Sequence, residues 1–212
     1  MQTTTHRVAV IVGSARNGGN GAGLAAWLAN VAERQFNASG AAIELVTVDP
    51  QEHPEPFGPV LDGSRFPGQV KNPDDYISPA IGEWSRFISS CSALAIVSPE
   101  YNGGYPGQLK NSIDQLYHEW SNKPTLLLTY GSGGGLRAQA QLQSILQSVK
   151  LQVLADPVAV KLPPSFIGGK DRVLSTGGQF PEFLSAHEPG VTKALLELSE
   201  RLLNPKVSGE SN

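Results

Sequence analysis

Cysteine is almost missing from the chain. Cys91 is the single one among 212 residues, so no internal disulfide can form and no thiolate metal cluster can be built. Positive charge is not in excess: 16 Lys and Arg stand against 19 Asp and Glu, a net charge of -3 at pH 7. Nothing gathers into the basic face that a phosphate backbone requires, and a nucleic-acid partner is not expected. No apolar run approaches the roughly 20 residues needed to span a bilayer, which excludes a helical membrane anchor within the sequence. Met1 to His6 is polar and lacks an apolar h-region, so a cytoplasmic protein without a secretory leader is expected. His6, His53, His118 and His187 are scattered and share no metal-ligand spacing. The remainder is 40% hydrophobic and 17% charged, enough apolar material for the core of one ordinary domain. That domain is expected to span 1–212, with a less regular segment after about residue 163.

Glycine and proline are abundant, at 23 and 16 residues, and clustered. Between the clusters run short apolar segments. Val8-Ala9-Val10-Ile11-Val12 is a continuous apolar run ending at Gly13, the pattern of a strand buried on both faces of a parallel sheet. Leu24, Trp27, Leu28 and Val31 then recur at helical spacing. Ile43 to Val48 reads as a second strand, and the Pro-rich stretch from Asp49 to Ser78 as a long surface loop. A helix is predicted to start at Pro79, with Ile81, Trp84, Phe87 and Ile88 as its buried stripe. Ala93 to Val97 is the third strand, a helix is expected near Gln108 to Trp120, and Pro124 to Tyr130 is the fourth strand. A helix from about Leu136 to Val149, a fifth strand from Val153 to Leu162 interrupted at Pro157, and a helix from Val191 to Leu203 complete the reading. Strands alternating with helices predict an α/β protein with a parallel sheet.

The first, third and fourth strands each end in a glycine-rich turn. Ligands of open α/β sheets sit outside the carboxyl ends of strands, so three such turns predict one composite pocket. The first turn, Gly13-Ser14-Ala15-Arg16-Asn17-Gly18-Gly19-Asn20-Gly21, offers a hydroxyl, a fixed cation and a helix N-terminus, a set suited to a phosphate monoester. A plain β-to-α turn that needs glycine sterically has the same composition. The turn is not a P-loop, because no Gly-Lys-Ser/Thr follows. Gly21-Ala22-Gly23-Leu24-Ala25-Ala26 satisfies G-x-G-x-x-A, which keeps a dinucleotide-binding Rossmann reductase as an alternative, although its first glycine stands too far past the strand. The second turn, Pro99-Glu100-Tyr101-Asn102-Gly103-Gly104-Tyr105-Pro106-Gly107, carries aromatic rings among glycines that let backbone N–H groups approach a flat heteroaromatic ring. An aromatic-bearing structural loop would look alike. The third, Tyr130 to Gly135, is a run of small residues against which a ligand could lie.

Together these residues resemble the NADPH-dependent FMN reductase family of the flavodoxin-like superfamily. The resemblance rests on Gly13-Ser14-x-Arg16, on Pro99-Glu100-Tyr101-Asn102 with Pro106-Gly107-x-Leu109-Lys110-Asn111-x-Ile113-Asp114, and on Tyr117-His118-Glu119-Trp120, Lys123-Pro124 and Tyr130-Gly131-x-x-Gly134. It covers roughly Arg7 to Leu162 and is similar to fungal and bacterial NAD(P)H:flavin or quinone reductases. It implies a three-layer α/β/α flavodoxin-like fold with a five-stranded parallel sheet of order 2-1-3-4-5. It implies bound FMN, with NADPH or NADH as hydride donor and a small-molecule acceptor such as a quinone or free flavin. Ser14, Arg16 and the backbone near Asn20 and Gly21 would hold the phosphate. Pro99, Glu100, Tyr101, Asn102 and Gly103 would line the isoalloxazine, with Gly131, Ser132 and Gly133 along its other edge. A homodimer or homotetramer is implied, with the helix after the second turn at its interface. Leu109, Ile113, Leu116, Tyr117 and Trp120 share one face of that helix, which an intrachain core would also explain. Where close relatives often carry a second Arg, this chain has Gly19.

No side-chain acid or base is expected to be catalytic, because the chemistry belongs to the flavin. His118 lies mid-helix in this reading, Cys91 is expected to be a small buried residue, and Asp74-Asp75 a solvated helix start. Glu100 is expected to stabilise its turn rather than transfer protons. The rival from another class is a flavodoxin-type electron carrier or flavin-bound interaction protein. Such carriers generally dock through a strong negative field, for which -3 is small.

Overall fold

A computed structural model describes residues 5–39, 42–176 and 178–204. The main strands are β1 (His6–Val12), β2 (Ile43–Val48), β3 (Ala93–Pro99) and β4 (Pro124–Gly131). Two short pieces, β5 (Gln152–Val153) and β6 (Val158–Lys161), both pair with β4. All pairings are parallel, and the sheet runs β2-β1-β3-β4-β5 with β6 beside β4. The expected fifth strand is therefore two fragments, split around Pro157. Proline cannot donate to a ladder, and the chain leaves the sheet there before rejoining the same neighbour.

The continuous apolar runs are explained by a core on each face. Val8, Val10 and Val12 of β1, Ala93, Ala95 and Val97 of β3, and Leu126 and Leu128 of β4 face α1 (Gly21–Ser39) and α6 (Glu188–Leu203). The alternate residues Ala9, Ile11, Leu94, Ile96 and Leu127 face α2 (Pro79–Ser90), α3 (Gly107–Asp114) and α4 (Leu136–Ser148). Each large side chain withdrawn from water this way contributes about 1.5–3 kcal/mol. A four-residue helix, α5 (Pro164–Ile167), opens the C-terminal segment.

Two expectations change. Residues 49–78 do not form a bare loop: 3-10 turns occupy Glu55–Phe57, Pro67–Gln69 and Pro73–Asp75, and Phe57 and Val70 are buried. Prolines start each turn or fall within it, and Phe57 packs its ring 6.1 Å from that of Trp84. The helix after the second turn also stops early, at Asp114, and His118–Trp120 is a separate 3-10 turn. Leu109, Ile113, Leu116 and Trp120 are all at most 2% exposed, packed against Trp84 and Ile88. Trp120 Nε1 donates to the Ile113 carbonyl at 3.0 Å. These four residues are intrachain core, and Tyr117, the fifth of the expected stripe, is half-buried.

Candidate active site

From β1 the chain steps outward to β2, whereas from β3 it steps the other way to β4. The switch point thus lies between β1 and β3, where the crossovers diverge and leave a crevice. The three glycine-bearing turns leave adjacent strands on this edge. Gly13 N–H donates to the Val97 carbonyl at 2.8 Å and Glu100 N–H to the Tyr130 carbonyl at 3.1 Å, which locks the turns side by side.

Tyr101 joins the first turn to the second. Its hydroxyl lies 2.6 Å from Ser14 Oγ, and the Arg16 guanidinium stacks 4.0 Å from its ring centroid. Ser14 Oγ also accepts from the Arg16 N–H at 3.2 Å. Arg16 is exposed and forms no ion pair among the described residues. Asn102 and Gly103 have φ of 51° and 84°, and reciprocal Tyr101–Gly104 backbone bonds close them into a two-residue turn. Both central residues are left-handed, a conformation Asn and Gly tolerate best.

Glu100 faces the third turn. Its carboxylate accepts from Arg137 Nε at 2.8 Å and from the Arg137 N–H at 3.1 Å, and it pairs with Arg137 Nη2 at 2.6 Å. Partial burial pushes its carboxyl up, but the bonds from the Arg137 side chain and backbone, the guanidinium charge and the Ala138 N–H outweigh it. The carboxyl is held below the usual range. Glu100 thus caps the N-terminus of α4, as expected of a turn-stabilising acid, and is held ionised. Gly131 is half-buried, while Ser132 and Gly133 are exposed on the rim.

Asn20 and Gly21 stand where β1 feeds α1. Gly21 opens the helix, whose first-turn N–H groups have no partners within it. The Asn20 side chain, however, turns away: it donates to the Phe166 carbonyl and accepts from Val173 N–H. Only its backbone remains on the turn. The G-x-G-x-x-A stretch lies wholly within α1, not at the end of β1. Gly23 is small because the chain at Val173 passes over it: a Cβ there would stand 1.7 Å from the Val173 oxygen. The dinucleotide-fingerprint alternative is thereby removed.

Two site neighbours were not among the residues expected to hold the cofactor. Tyr130 is buried beneath the first turn, its hydroxyl 3.0 Å from where a Cβ on Gly21 would be. Burial, with the neighbouring Tyr101, raises its phenol pKa, although Arg16 opposes the shift. Arg172 reaches the turn from the C-terminal segment, donating through Nε to the Gly18 carbonyl at 2.5 Å. No local pattern announces a contact across 154 positions. Two residues considered for chemistry are structural. His118 Nε2 bonds the Gly68 carbonyl at 2.8 Å. Cys91 is buried, its thiol donating to the Phe87 carbonyl, and burial pushes its pKa up against the pull of Lys123.

The sequence model of the NADPH-dependent FMN reductases matches residues 6–162. The chain belongs to this family. Among similar proteins, the NAD(P)H-dependent FMN reductase LOT6 of Saccharomyces cerevisiae is 36% identical over 157 residues, which is 74% of this chain and 81% of the relative. The NAD(P)H-dependent FMN reductase ntnL of a Nectria species is 32% identical over 206 residues, 94% of this chain and 98% of that one. A solved oxidoreductase from Corynebacterium diphtheriae superposes with a TM-score of 0.68 at 15% identity, covering 95% of this chain and 99% of its own. FerB, an NAD(P)H:acceptor oxidoreductase from Paracoccus denitrificans, gives 0.63 at 21%, covering 93% and 98%. These last two speak for the fold, whose strand order is flavodoxin-like. This FMN reductase is accordingly an oxidoreductase that works with FMN and NAD(P)H. Its donor set suits that cofactor: a hydroxyl, a guanidinium without a carboxylate partner, and a helix N-terminus converge on the first turn.

Proposed function

We propose that the three turns hold one FMN, with its phosphate on the first turn and its ring between the second and third. Ser14, Arg16 and the backbone N–H groups of Asn20 and Gly21 bind the phosphate, where a helix N-terminus and a fixed cation both favour an anion. Pro99, Glu100, Tyr101, Asn102 and Gly103 line one side of the isoalloxazine, and Gly131, Ser132 and Gly133 its other edge. The observation that carries this reading is the Ser14–Tyr101–Arg16 cluster, which joins the phosphate-type turn to the aromatic one within a single hydrogen bond.

FMN held there would supply the redox chemistry, a two-electron transfer from NAD(P)H to a quinone, free flavin or similar acceptor. The protein orients. Glycine-bearing turns bring main-chain N–H groups against the ring, where they stabilise negative charge. Glu100, held by Arg137, fixes the second turn to the third and takes no proton. A site that serves nicotinamide and acceptor in turn would give ping-pong kinetics. The whole of 1–212 acts as one FMN-binding unit, assembled as a homodimer or homotetramer.

The test is the absorbance of the purified protein with FMN, followed by stopped-flow mixing with NADPH or NADH and then with a quinone. A flavin band that bleaches with the nicotinamide and returns with the quinone, with parallel double-reciprocal plots, is expected. Flavin that stays oxidised unless a separate reductase is added would replace the enzyme with an electron carrier.

A further inference from the structure

The segment beyond the matched region is strapped onto the phosphate turn. The Asn20 amide donates to the Phe166 carbonyl at 2.8 Å, and its oxygen accepts from Val173 N–H at 2.9 Å. Val173 is fully buried, lying over Gly23. Between these anchors sits Arg172. Nε donates to the Gly18 carbonyl at 2.5 Å, and Nη1 donates to the carbonyls of Gly169 at 3.0 Å and Asp171 at 2.6 Å. All three acceptors are main-chain oxygens, none of the bonds uses Nη2, and no carboxylate pairs with this half-buried guanidinium among the described residues.

A phosphate monoester carries about -1.5 to -2 charges at neutral pH. Within the first turn Arg16 is the single cation. The geometry points to Arg172 as the second cation of the FMN phosphate site, carried in from the C-terminal strap to the Gly18 end of the turn. The inference rests on the phosphate lying on this turn, as proposed above. A guanidinium with three of its five donors satisfied by carbonyls is already oriented, so little freedom is lost when the remaining donors meet an anion. Carbonyl partners do not neutralise its charge, and withdrawing a charge from water without an opposite one is unfavourable. A phosphate on the turn removes that penalty.

The experiment compares FMN with riboflavin, which lacks the phosphate, by fluorescence titration of wild type, Arg172→Gln and Arg172→Lys, at low and high salt. Circular dichroism checks the fold of each. Arg172→Gln is expected to weaken FMN about tenfold, in line with the loss of a charge-assisted hydrogen bond. Riboflavin binding stays unchanged and the salt dependence of FMN binding becomes shallower. Arg172→Lys keeps the charge but cannot bridge three carbonyls, and should stay within about threefold of wild type for FMN. Equal losses for FMN and riboflavin, or Lys as poor as Gln, would make Arg172 a strut and overturn the proposal, as would no change in either variant. Wild type that binds riboflavin as tightly as FMN would instead remove the phosphate site on which the proposal rests.

Discussion

Gly23→Ala is the substitution for which the strap makes the sharpest forecast, because two effects of opposite sign compete there. Position 23 lies inside α1, where replacing Gly by Ala ordinarily stabilises a helix by about 0.5–1 kcal/mol. Here the added Cβ would meet the Val173 oxygen at 1.7 Å and its carbonyl carbon at 2.6 Å. Both are backbone atoms, so no rotamer change relieves the clash, and the strap must retreat by more than an ångström. That retreat breaks the bond from Val173 N–H to the Asn20 oxygen, a loss of about 1 kcal/mol. It also exposes part of the Val173 side chain, whose full burial is worth about 1.5–3 kcal/mol. With about half of that burial lost and the helical gain subtracted, a net destabilisation of about 1–2 kcal/mol remains, or about 2–8 °C in melting temperature for a chain of this length. Thermal melts of flavin-free protein by circular dichroism read it directly. Gly21→Ala is the comparison: its Cβ meets only side-chain atoms, the Tyr130 hydroxyl at 3.0 Å and Val12 Cγ1 at 3.1 Å, and the loss should be smaller. A Gly23→Ala protein that melts at or above wild type would refute the strap's docking on α1.

Arg16→Ala should weaken FMN by about 1.5–3 kcal/mol, the range for a hydrogen bond to a charged group; isothermal titration checks it, and unchanged retention would place the phosphate elsewhere. The depressed Glu100 carboxyl contributes stability that is present above its ordinary value of 4.5 and is lost as pH falls through its lower folded value. Urea midpoints of wild type should therefore fall on acidification across that window more than those of Glu100→Gln; matching profiles would show that Arg137 does not hold the charge. Cys91 should react slowly with an aromatic disulfide reagent at pH 8 in the native protein and at once in denaturant, since burial raises its thiol pKa.

The layered architecture was legible in the chain because its signals are local. Apolar runs such as Val8–Val12 and Ala93–Val97 are continuous because alternate residues face cores on opposite sides of the sheet. Glycine at the strand ends, and Asn102-Gly103 at a left-handed turn, follow from backbone sterics within a few positions. The family motif rests on the same short-range constraints. Other features needed the folded chain. A helical stripe like Leu109, Ile113, Leu116 and Trp120 looks the same whether it meets another chain or its own, and the packing of Trp84 and Ile88 decided for its own. The Gly21–Gly23 spacing imitates a nucleotide fingerprint, yet Gly23 answers to a carbonyl 150 positions away. Tyr101 meets Ser14 across 87 positions, and Arg172 joins that turn from outside the motif region. Periodicity and turn chemistry act between neighbours along the chain, whereas such meetings depend on how distant segments pack, and only the tertiary structure settles that.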